Sequence, residues 1–93
     1  MFYELRRYRI LPGKMDEWIR LMEEEIIPFQ VACGMVITGM FRGEEDDTVF
    51  VWMRRFESES EHWRNNIRPR IGEHMEREIE VTRIVPTPRS VTH

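Results

Sequence analysis

Glu4, Arg6 and Tyr8 occupy alternate positions of one β-favouring segment, and Trp52 and Arg54 alternate in another. Side chains two apart lie on one face of a strand. If the two strands are neighbours, a carboxylate, two guanidiniums, a phenol and an indole form one polar–aromatic cluster. Guanidiniums suit an anionic or carbonyl group and aromatic rings suit an apolar body, so a functional reading is a pocket for a small apolar or amphipathic molecule. A purely structural reading is also open. Buried charges must be paired, and Glu4 with Arg6 or Arg54 would form an ion-pair network at an interface. His62, at the start of a candidate helix beside Trp63, joins the set because a histidine near a cavity can carry a proton or hold a haem. The candidate ligand-binding residues are therefore Glu4, Arg6, Tyr8, Trp52, Arg54 and His62. No catalytic residue is assigned, and whether the chain is an enzyme stays open.

Other chemistry is weakly supported. His74 falls where a cation suits a helix C-terminus, His93 lies in the tail, and no two histidines have the i, i+4 spacing of a metal site. The run Glu44-Glu45-Asp46-Asp47 lacks the twelve-residue calcium-loop pattern and reads as a solvated turn. Cys33 follows a helix end, where nothing lowers a thiol pKa, and reads as packing. There is no Gly-rich phosphate loop and no nucleophile elbow, and Ser58 and Ser60 read as helix caps. No metal and no cofactor is called for.

The elements that must position these residues follow from periodicity. Residues 2–10 alternate as a strand, with Phe2, Glu4, Arg6, Tyr8 and Ile10 on one face and Tyr3, Leu5, Arg7 and Arg9 on the other. Pro12-Gly13 ends it. Over 14–27, Met15, Trp18, Ile19, Met22 and Ile26 give a helical stripe. Pro28 should stop or kink this helix, with a last turn through Phe29 and Val31 closed by Gly34. Strands are expected over 35–42, with Gly39 marking a bulge, and over 48–56, joined as an antiparallel hairpin. Ser58-Glu59-Ser60-Glu61 has capping-box spacing and should open a second helix with the stripe Trp63, Ile67, Ile71 and Met75, interrupted at Pro69. A fourth strand is expected over 78–85. The order is βαββαβ, an α+β ferredoxin-like split with an antiparallel sheet, forming one domain over 1–88 and a tail over 89–93. Two helices cover one face of such a sheet. The bare face is expected to carry Phe50, Trp52 and Phe56, with Arg54 among them, or else the Val49 series. Either is too apolar for water, which points to a homodimer packed through that open face.

The bulk properties agree with a small globular domain. The chain has 93 residues, of which 41% are hydrophobic and 33% charged, so it has the composition of a folded chain. A net charge of −3, with no basic stripe, disfavours nucleic-acid partners. A single cysteine excludes an internal disulfide and makes the cytoplasm the default compartment. No apolar run is long enough to span a membrane, and the N-terminus reads straight into a strand rather than a signal peptide.

Several segments resemble a known family. Tyr3-Glu4-Leu5-Arg6-Arg7-Tyr8, Pro12-Gly13-Lys14-Met15-Asp16-Glu17-Trp18, Glu24-Glu25-Ile26-Ile27-Pro28 and Gly34-Met35 are similar to the opening of NIPSNAP-type domains. Phe50 to Glu57 resembles the third strand of a bacterial branch, and Ile67 to Ile71 and Thr82 to Ser90 resemble its ending. The resemblance implies a dimeric α/β barrel and says little about chemistry, because the family's role is poorly defined. The expectation is a NIPSNAP-like dimeric barrel that binds a small apolar or amphipathic molecule in its interior. The alternative is a non-enzymatic dimeric module for protein interaction or stress response. One departure stands out: Phe56 to Glu61 runs almost directly into His62-Trp63, where similar family members carry a longer segment.

Overall fold

The structure, a computed structural model, describes residues 1–65 and 72–89, with the side chains of 63–65 also outside the description. Strand β1 (Phe2–Ile10) leads through a turn at Gly13 into helix α1 (Met15–Leu21). A π-helical turn (Met22–Ile26) joins α1 to α2 (Ile27–Ala32). Strands β2 (Val36–Arg42) and β3 (Val49–Phe56) form the hairpin, α3 (Glu59–Asn65) follows, and a 3-10 turn (Glu73–Met75) leads into β4 (Glu76–Ile84). The sheet order is β2-β3-β1-β4 and every pairing is antiparallel. This is the expected α+β arrangement, with β1 and β3 as central neighbours.

The first helix does not stop at Pro28. It continues to Ala32, because the π turn resets the hydrogen-bond register just before the proline. Ile27 N–H donates to the Met22 carbonyl, five residues back. Pro28 then sits in the first turn of α2, where its missing N–H costs nothing. Gly34, at φ 96°, ends the helix. Met35 N–H reaches the Gln30 carbonyl at 2.9 Å and Gly34 N–H reaches Val31 at 3.0 Å, the double closure of a Schellman motif. The extension carries the buried stripe Met15, Trp18, Met22 and Ile26 one step further, to Gln30.

The stripe decides which face of the sheet is buried. Trp18 packs edge-on against Phe50, with ring centroids 5.8 Å apart, and against Tyr8 at 5.6 Å. Tyr8, Ile10, Phe50 and Trp52 join the helix residues in the main core. A second cluster, Phe2, Met35 and Phe56, closes the other end. Phe50, Trp52, Arg54 and Phe56 therefore lie under the helices and are essentially buried within one chain. This corrects the expectation that the helix-free face carries them. Alternation separates the two faces of β3 but does not say which one the helix selects; the more aromatic face won. The helix-free face carries the Val49 series instead: Val49, Val51, Met53 and Arg55 opposite Arg9, Arg7, Leu5 and Tyr3 of β1.

Gly39 sits where the β2–β3 register shifts, after Ile37, so the expected bulge is present. Ser58 Oγ accepts from Glu61 N–H at 3.2 Å, and the Glu61 carboxylate accepts from Glu57 N–H at 3.0 Å, so the predicted cap opens α3. The proposed stripe residues Trp63, Ile67 and Ile71, and Pro69, lie outside the described side chains. Met75, the last of them, belongs to the 3-10 turn and not to a continuous helix, and it packs into the main core.

Gly72 locks that turn. Its φ is 82°, and a Cβ placed there would come within van der Waals overlap of Leu21 and Trp18. Gly72→Ala is expected to lower stability by about 1–2 kcal/mol. Equilibrium urea unfolding of the two proteins checks this, and a variant as stable as the parent would contradict the packing described.

Candidate functional site

Glu4 and Arg54 face each other across the central β1–β3 pair. Glu4 is 5% exposed and Arg54 1% exposed. Strand register alone places them: both point under the helices, where neither is reached by bulk water. The Glu4 carboxylate is the hub. Oε1 accepts from Arg54 Nη2 and, at 2.9 Å, from Arg6 Nη1. Oε2 lies 3.1 Å from His62 Nε2, which comes from α3. Arg6 also donates from Nε to the Tyr8 hydroxyl at 3.0 Å. Arg54 donates from Nη1 to Gln30 Oε1 at 3.3 Å, so the network spans sheet, first helix and third helix.

Aromatic rings line the charges. The Arg54 guanidinium lies 5.3 Å from the centre of the Trp52 ring and 5.5 Å from that of Phe56. His62 stands edge-on to Phe56 at 4.7 Å. Arg83 of β4 stacks on Phe2 at 4.1 Å and pairs with Glu59, which holds the start of α3 to the far edge of the sheet. All six candidate residues thus come together: Glu4, Arg6, Tyr8, Arg54 and His62 in one hydrogen-bonded chain, and Trp52 against Arg54. The sequence placed them correctly relative to one another but on the wrong face of the sheet.

The electrostatics are dominated by competition between burial and pairing. Burial alone would raise the Glu4 carboxyl. The hydrogen bond and charge of Arg54, with hydrogen bonds from Arg6 and His62, outweigh it and hold Glu4 down from 4.5 to about 2. Burial pushes Arg54 below its ordinary value, against the pull of Glu4. Arg6 moves the other way: burial would lower it, but Tyr8 and Glu4 raise it. Two guanidiniums therefore share one carboxylate, and the cluster carries a surplus of positive charge.

Gln30 was missed in the sequence, although its four-residue spacing from Ile26 continues the buried stripe. Pro28 obscured the signal, because a kink there leaves the facing of the following turn undetermined. Gln30 Nε2 and Trp52 Nε1 are buried donors with no acceptor among the described residues. Trp52 and Gln30 both contact Arg54, so unsatisfied donors and surplus charge occur in one place.

The remaining sequence candidates lie apart from this network. The acidic turn is a hairpin tip in which Asp46 accepts from Thr48 and pairs with Arg9 at 3.0 Å. Among the described residues no group of histidine, cysteine and acidic side chains could hold a metal ion. A depression of about 190 Å³ lined by Arg7, Tyr8, Arg9, Glu78 and Glu80 lies between β1 and β4, away from Trp52 and Arg54. Among the described residues no helix is long and apolar enough to cross a membrane.

A four-stranded antiparallel sheet closed on one face by helices, with a buried carboxylate–guanidinium hub in its central strands, defines a ferredoxin-like α+β domain. The NIPSNAP family model matches residues 3–90, and the chain belongs to the NIPSNAP family. A NIPSNAP family protein from Agrobacterium tumefaciens has the same fold, with a TM-score of 0.84 at 22% identity over 99% of this chain and 98% of its own. An uncharacterised NIPSNAP domain protein from Burkholderia xenovorans gives 0.81 at 20% identity, over 97% and 98%. Another Agrobacterium tumefaciens protein gives 0.82 at 19% identity, over 98% of each chain. No curated protein matches.

Because the Glu4 pKa is depressed by folding, its contribution is complete above pH 4.5 and is lost as pH falls towards 2. Glu4→Gln is expected to cost roughly 3 kcal/mol at pH 7, partly by leaving Arg54 buried without a counter-charge. The gap between parent and variant should close as pH falls from 4.5 to about 2. Denaturant unfolding across that range checks it; a gap independent of pH would show that Glu4 is not held ionised by the network.

Proposed function

We propose that this NIPSNAP protein works as a homodimer packed through the helix-free sheet face, and that each copy binds a small apolar or amphipathic molecule at the Glu4 network. The dimer reading rests on the helix-free face itself. Phe41 is 60% exposed and Val36 37%, and Leu5, Val51 and Met53 beside them are only half-buried. An apolar patch of this kind, bordered by Arg7, Arg9, Arg55, Glu78 and Glu80 on the same face, favours a self-complementary contact about a two-fold axis. The two copies would then enclose a barrel.

The binding reading rests on one observation: a buried network that has, among the described residues, two guanidiniums for one carboxylate and indole and amide donors without acceptors reaches the surface at Arg6 and His62. The side chains of both residues are 17% exposed. The residues first expected to line the barrel interior instead form this helix-side site. A purely structural ion pair has no use for the second guanidinium or for unsatisfied donors, since each costs free energy when buried.

Phe41→Asp introduces a charge within the apolar patch of the proposed contact. It is expected to convert the protein to monomer at micromolar concentration without loss of secondary structure. Light scattering after size exclusion reads this directly, and a parent protein that runs as a monomer would remove the dimer. For the site, titration with ten-carbon amphipaths, followed by calorimetry and tryptophan fluorescence, should give saturable binding at one equivalent per chain. No saturation by any of them would remove the binding role.

A further inference from the structure

Strand β4 is an edge strand, and its apolar side chains on the helix side are exposed. The register places Val81 opposite Arg6, Ile79 opposite Tyr8 and Arg83 opposite Glu4, so these three share the face that carries the network. Val81 is 50% exposed and Ile79 43%. Two β-branched side chains therefore lie open beside the one guanidinium of the network that reaches solvent.

Arg6 is suited to take a ligand there. It spends Nη1 on Glu4 and Nε on Tyr8, and Nη2 makes no hydrogen bond among the described residues. Glu4 and Tyr8 fix the plane of the guanidinium, so the ordering entropy of a flexible side chain is already met. Arg54, the other guanidinium, is wholly buried and already engages Glu4 and Gln30. The positive charge left over by the single carboxylate is thus expressed at Arg6. Arg83, also on this face, is neutralised by Glu59 and stacked on Phe2.

Resting on the binding role proposed above, we infer that the ligand is an amphipathic monocarboxylate, with its acid on Arg6 Nη2 and its apolar chain along Val81 and Ile79. A cationic amphipath meets like charge at Arg6, and a neutral one leaves the surplus unpaired. A charge-assisted hydrogen bond to a pre-oriented guanidinium favours the acid by about tenfold or more in affinity.

Calorimetric titration with decanoate, decanol and decylamine tests this. Decanoate is expected to bind at least about tenfold more tightly than decanol, and decylamine more weakly than either. Arg6→Gln should remove the preference for decanoate over decanol. Val81→Glu, a substitution at an exposed edge position, should place a carboxylate beside Arg6 and abolish decanoate binding even if Arg6→Gln does not fold. Equal affinity for the three amphipaths, or a decanoate preference that survives both substitutions, overturns the acid assignment and leaves the binding role standing. If none of the three binds, both fall.

Discussion

The Glu4–Arg54 pair is the constraint around which the domain is arranged. It joins the two central strands on the face that the helices cover, and it can exist there only because every neighbouring element contributes to it. Arg6 and His62 complete the carboxylate, Gln30 accepts from Arg54, and the Trp52 and Phe56 rings face its guanidinium. A charge pair removed from water recovers its desolvation cost only with such additional partners. The two aromatic clusters on either side supply the hydrophobic stabilisation, and the pair fixes how the layers register. That third helix and first helix both meet the same carboxylate network explains how a short α3 is held on the sheet: His62 anchors its face and Glu59 its beginning.

The same arrangement carries the functional argument. A network built only for structure would be charge-balanced and sealed. Among the described residues this one has two guanidiniums for one carboxylate, Gln30 and Trp52 donors without acceptors, and an outlet at Arg6 next to exposed apolar strand surface.

Much of this was legible in the sequence. Alternation in 2–10 and 48–56 placed Glu4, Arg6, Tyr8, Trp52 and Arg54 on shared strand faces, and the βαββαβ order made those strands neighbours. The glycine in β2 announced a bulge, and Ser58 announced a helix start. What failed did so for definite reasons. Strand periodicity distinguishes two faces without saying which one a helix will cover, so the cluster was assigned to the open side. Pro28 left open whether the helix stops or turns on through Phe29 and Val31, because the remedy, a π turn over Met22–Ile26, leaves no mark in composition or spacing. Gln30 was lost with it. The charges of Arg7, Arg9, Glu78 and Glu80 lie on the helix-free side.

The central claim is that Glu4 stays ionised in a buried, guanidinium-rich network that orders the whole domain. An NMR titration of the Glu4 side-chain carboxyl carbon measures this most directly. The account predicts a midpoint near 2, far below the ordinary 4.5. A midpoint at or above 4.5 would contradict it, because burial would then have prevailed over pairing.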